Sequence, residues 1–155
     1  MDTIAEILKL LFVGLIAGIF SAYLSTWRHR NEKWWELRAK AYTELIEALS
    51  DLNHYYERNY KAMVKHRELS DEYKEELDKF WDSGYHNVRK LTATGSFLFS
   101  DDVNKALKIF SELKNDDHDG DYYFYLDKYY YGTTRCLETV SASSKHDLKV
   151  GGKWL

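Results

Sequence analysis

The stretch Asn115-Asp116-Asp117-His118-Asp119-Gly120-Asp121 concentrates oxygen ligands and runs directly into Tyr122-Tyr123-Phe124-Tyr125. An EF-hand loop takes ligands from positions 1, 3 and 5, turns on Gly at 6 and closes with a bidentate Glu at 12. Counted from Asn115, those ligands are Asn115, Asp117 and Asp119, with Gly120 at position 6, but position 12 is Leu126. Asp127 comes one residue late and is a methylene shorter than Glu. Without the closing ligand the stretch reads as a turn between helices. Gly120 then supplies freedom at positive φ, and Asp119 or Asp121 caps the next helix. The expectation is that no metal is held here.

The aromatic half of the same stretch is more informative. Tyr122, Tyr123, Phe124, Tyr125, Tyr129, Tyr130 and Tyr131 cannot all face one core on a helix of 3.6 residues per turn. Some must meet another subunit, another protein or a ligand, since exposed aromatics are enriched at interfaces. Lys128 and Arg135 stand beside them, and with those cations the rings could instead stack nucleotide bases. The candidate contact set is therefore Tyr122, Tyr123, Tyr125, Tyr129, Tyr131, Lys128 and Arg135. Nucleic acid is the weaker alternative, because 22 Lys+Arg against 25 Asp+Glu gives a net charge of -3.

No other constellation carries chemistry. There is no Gly-rich phosphate loop, no G-x-S-x-G and no H-E-x-x-H. The six histidines are scattered, and no two sit four apart on one helix. Cys136 lies next to an apolar stripe and reads as a buried free thiol rather than a nucleophile. The expectation is a protein that is not an enzyme and needs no cofactor.

The elements that position these residues begin with an apolar run. Leu10 to Trp27 reads LLFVGLIAGIFSAYLSTW without a charge. About 18 residues at ~1.5 Å each make a helix of roughly 27 Å, close to the hydrocarbon thickness of a bilayer. A signal peptide would want a basic start and a small-residue cleavage site, whereas Asp2 and Glu6 come first here. Arg28, Arg30, Lys33, Arg38 and Lys40 follow the run and only Lys9 precedes it, which places the N-terminus outside and the rest in the cytoplasm. Gly14, Gly18 and Ala22 recur every four residues, as do Ala17, Ser21 and Ser25. Small residues at that spacing let helices approach closely in lipid.

Beyond Asn31 the apolar spacing is helical in four segments. Leu45, Leu49, Leu52, Tyr56, Tyr60 and Met63 stripe the first, which nothing separates from the apolar run. Ser70 followed by Asp71 and Glu72 starts a second, which stops near Gly95, a position suited to the left-handed conformation. Ser100 with Asp101 and Asp102 starts a short third, striped by Val103, Leu107, Phe110 and Leu113. The fourth is striped by Tyr122 or Tyr123, Leu126, Tyr130, Leu137 and Val140. The fold expected is all-α: a membrane anchor over 1–29, an up-down bundle of about four helices over 30–150, and a tail over 151–155. One cysteine and no N-x-S/T site suit a bacterial-type cytosol better than a secreted, disulfide-stapled module.

This arrangement resembles small bacterial proteins with one N-terminal span and a basic junction like RHRNEKWWELRAKAYTELIEAL (Arg28 to Leu49). In those proteins a helical bundle follows, with a middle segment like GSFLFSDDVNKAL (Gly95 to Leu107). Some similar membrane-anchored bundles occur in anti-phage defence operons as membrane-acting effectors or partners. The resemblance implies fold and location, and no functional residue carries over from it. The expectation is a single-pass inner-membrane protein that self-associates and acts as a channel or membrane-perturbing effector. The alternatives are a tether that recruits a cytosolic protein and a bundle that senses a nucleotide.

Overall fold

The computed structural model describes residues 2–113 and 121–148, with side chains from Phe12 onward. The architecture is all-α, as the apolar spacing predicts, and the described residues contain no strand. Helix α1 spans Asp2–Val64, α2 Asp71–Thr94, α3 Asp101–Glu112 and α4 Tyr122–Asp147. A single 3-10 turn, Ser96–Leu98, links α2 to α3. The chain divides into two compact units, Met1–Leu37 and Arg38–Leu155.

The first unit is helix throughout its described length, in keeping with the absence of any breaker between Trp27 and Trp34. From Phe12 to Leu37 every large apolar side chain is exposed, Phe12 at 68% and Ile19 at 64%. Among the described residues, no helix is long and apolar enough to cross a membrane. The crossing expected for residues 10–27 is therefore not shown. Leu10 and Leu11, at its start, lie outside the residues whose side chains are described.

The second unit is a helical bundle around one core. Tyr42, Leu45, Leu49, Leu52 and Tyr56 of α1 meet Val88 and Leu91 of α2, Val103 and Leu107 of α3, and Leu126 and Val140 of α4. The α1 stripe is buried from Ala41 and Tyr42 onward, whereas Leu37 is 55% exposed. It ends at Tyr56, since Tyr60 is only half-buried and Met63 is exposed. On α4 the buried face is Leu126, Thr133, Cys136 and Val140. Leu137, expected in that stripe, lies half-buried beside it.

The ends of the helices follow local chemistry. Ser70 accepts a hydrogen bond from the Tyr73 N–H, the N-cap its sequence predicts. Asp121 caps α4 by accepting from the Tyr123 and Phe124 N–H groups. Ser100 occupies the N-cap position of α3 but makes no side-chain cap bond. Gly95 sits at φ -108°, so the left-handed conformation expected there is absent. Its space is what matters: a Cβ on Gly95 would stand 2.9 Å from the Leu91 carbonyl oxygen. The left-handed residue is instead His66, at φ 47°, just past α1. There Arg67 N–H donates to the Ala62 carbonyl at 2.9 Å and satisfies a terminal acceptor.

Candidate functional site

The α4 N-terminus disperses its aromatics over two surfaces. On one, Tyr125 and Tyr129 pack against Tyr56 of α1, with ring centroids 6.2 Å and 5.1 Å away. Tyr130 stacks on Tyr60 at 5.5 Å, and the Tyr123 hydroxyl lies 3.4 Å from that of Tyr60. The layer continues to α2 through the Trp81 indole N–H, which donates to the Tyr56 hydroxyl at 3.1 Å. Burial, and then the hydrogen bond to Tyr125, push the Tyr56 hydroxyl well above the ordinary phenol range. Tyr125 and Tyr129 thus make intramolecular ring contacts with Tyr56 and with each other. Tyr122 and Tyr123 remain largely exposed at the edge of the layer.

The other surface is a groove of about 1300 Å³ along α3 and α4. Its apolar wall includes Ile109, Phe110 and Leu113 from α3, and Phe124 and Tyr131 from α4. Ile109 is 64% and Tyr131 58% exposed. Its rim carries Lys105, Lys128 and Arg135 against Asp102 and Asp127. Three members of the contact set inferred from sequence, Tyr131, Lys128 and Arg135, converge here because they are spaced 3 and 4 apart on α4. Asp127 also reaches Tyr60: the hydrogen bond from Tyr123 first, then burial, then the bond to Asp127 raise the Tyr60 hydroxyl above the ordinary phenol range. Cys136 forms part of the floor; burial pushes its thiol up to about 12, so it is protonated and inert at neutral pH.

A polar clasp closes the far end of the bundle. Arg38 donates to the Leu98 carbonyl at 2.7 Å and to Asp147 Oδ2 at 3.1 Å. The Tyr42 hydroxyl donates to the same Asp147 oxygen and lies 3.5 Å from the Ser100 hydroxyl. Burial opposes ionisation of Asp147. The hydrogen bonds from Tyr42, His146 and Ser100 and the Arg38 charge outweigh it and hold the carboxyl below its ordinary range. Sequence reading missed this clasp, since its members are up to 109 positions apart.

On the first unit, Gly14, Gly18 and Ala22 form one ridge of α1, and Ala17, Ser21 and Ser25 a second. In a regular helix residues three apart differ by about 60° around the axis. The two ridges therefore merge into one broad face of small residues. A Cβ on Gly14 or Gly18 would meet nothing within 4 Å. The acidic positions Asn115 to Gly120 lie outside the described residues, as does the 151–155 tail. No group of three His, Cys, Asp or Glu side chains able to hold a metal occurs among the described residues.

Comparison with protein-family models, with curated proteins and with solved structures finds no match to this chain.

Proposed function

We propose that this protein is a single-pass membrane protein whose N-terminal helix spans the bilayer over residues 10–27. It self-associates and acts, without enzymatic chemistry, as a channel-forming or membrane-perturbing effector controlled by its cytoplasmic bundle. The observation that carries this is the state of α1 between Phe12 and Leu37. All its large apolar side chains are exposed, and a helix apolar around its girth needs lipid or other helices to cover it. Tyr23, Trp27, Trp34 and Trp35 with Arg28, Arg30 and Lys33 form the aromatic and basic collar of a cytoplasmic interface. The merged small-residue face gives copies of the helix a surface for close approach in lipid.

The experiment is overexpression with a membrane-potential dye. The wild-type chain depolarises cells, and Gly14→Leu or Gly18→Leu cuts the response at least tenfold while membrane insertion persists. Replacement of residues 4–27 by an unrelated span separates this from the second reading, a tether that recruits a partner protein. The exposed apolar wall of the α3–α4 groove favours that reading, because such patches mark interaction sites. Retained activity after the swap supports the tether and sinks the channel.

A further inference from the structure

The bundle carries two outer surfaces of opposite character. One is the α3–α4 groove, where the ion pairs of the described residues leave Arg135 without a carboxylate, and Lys105 reaches Asp102 only at 3.9 Å in solvent. The other is a cleft of about 360 Å³ along α1 and α2, where Glu44, Glu47 and Asp51 line up three and four apart. Lys40 lies 3.8 Å from Glu44 and Lys90 lines the same cleft, but no ion pair reaches Glu47 or Asp51 among the described residues. Burial first, and then the neighbouring Glu47, push the Asp51 carboxyl above its ordinary range, with nearby His54 opposing them in part.

The two surfaces also lie at the same height in the bundle. Thr134 donates to Asn53 Oδ1 at 2.8 Å, which levels Arg135 with Asp51. The Tyr42 and Ser100 hydroxyls lie 3.5 Å apart, and five residues on from each stand Glu47 and Lys105. Bundles standing side by side therefore present Arg135 and Lys105 to Asp51 and Glu47 without a vertical shift. A contact between two different surfaces of identical chains is head-to-tail, and it generates a ring or a row.

We propose that the α3–α4 groove of one copy receives the Glu47–Asp51 edge of a second copy, linking the chains head to tail. This rests on the membrane reading, which confines the copies to one bilayer. Exposed Ile109 and Tyr131 are covered in the contact, and Arg135 completes the acidic edge.

The test is thiol cross-linking of the full chain in native membranes, with Glu47→Cys and Lys105→Cys. Native Cys136 is buried and stays out of the reaction. A chain carrying both substitutions gives a ladder of dimers, trimers and larger species. Each single variant alone gives monomer, and the two singles co-expressed give dimer only. Arg135→Glu reduces the ladder at least tenfold, and adding Asp51→Arg restores it. Dimers from either single variant would show a symmetric contact instead and overturn the proposal. So would a membrane-bound double variant that gives no ladder, whether because the groove takes another protein or because only the spans associate. Absence of the chain from the membrane fraction would instead strike the membrane reading.

Discussion

Asp147 is where the bundle's chemistry and its stability meet. Its carboxylate collects Arg38, Tyr42 and the end of α4 at a largely buried site. Because the folded carboxyl titrates below its ordinary range, it favours the fold above the unfolded pKa of about 4. That contribution is lost as pH falls through the lower folded value. Asp147→Asn should cost about 1–3 kcal/mol at pH 7, since it removes a charged acceptor from two donors. In urea melts the gap between wild type and variant should close as pH drops through and below 4. A gap unchanged by acid would mean that the carboxylate charge plays no part. None of this was legible in the sequence, where Arg38 looks like one more cation in a basic junction and Asp147 like an exposed helix end. The caps Ser70 and Asp121 were legible, because they act on N–H groups two or three positions away, whereas Ser100 holds its cap position without a side-chain bond. Local chemistry can be read from neighbours; the clasp depends on how four segments converge.

Among the elements, the α1–α2 pair depends on one missing side chain. Gly84 is buried in the middle of α2, where Gly costs about 1 kcal/mol against Ala in a free helix. Here a Cβ would stand 2.8 Å from the Ala48 carbonyl oxygen and 2.9 Å from Leu52 Cγ. The backbones are too close to admit it. Gly84→Ala should therefore destabilise by about 1–3 kcal/mol despite its better propensity, measured as a lower denaturation midpoint. Gly132→Ala on α4 should lose less, since its Cβ would meet only the flexible end of Leu113. The stripes of α1 and α3 were readable because each has one core-facing side. That of α4 was displaced: Thr133 and Cys136 hold the buried positions, and the tyrosines spread to both flanks. Seven aromatics in ten residues hide the helical period, and only the partners Tyr56, Tyr60 and Trp81 decide which ones turn inward.

Over the whole molecule, the division after Leu37 separates two surfaces with different needs. The bundle buries its own core, whereas the apolar side chains before it have no protein cover among the described residues. A fragment beginning at residue 38 keeps the clasp and the core, and it should unfold cooperatively in urea. The groove contacts of α4 were half legible in the sequence. Tyr131, Lys128 and Arg135 do share a surface, but its α3 wall and the acidic edge on α1 emerge only from packing. The most direct measurement is alkaline carbonate extraction of membranes from cells expressing the full chain or residues 38–155. The full chain should stay in the membrane pellet at pH 11 and the fragment should stay in the supernatant. Release of the full chain by carbonate would contradict a spanning helix over residues 10–27.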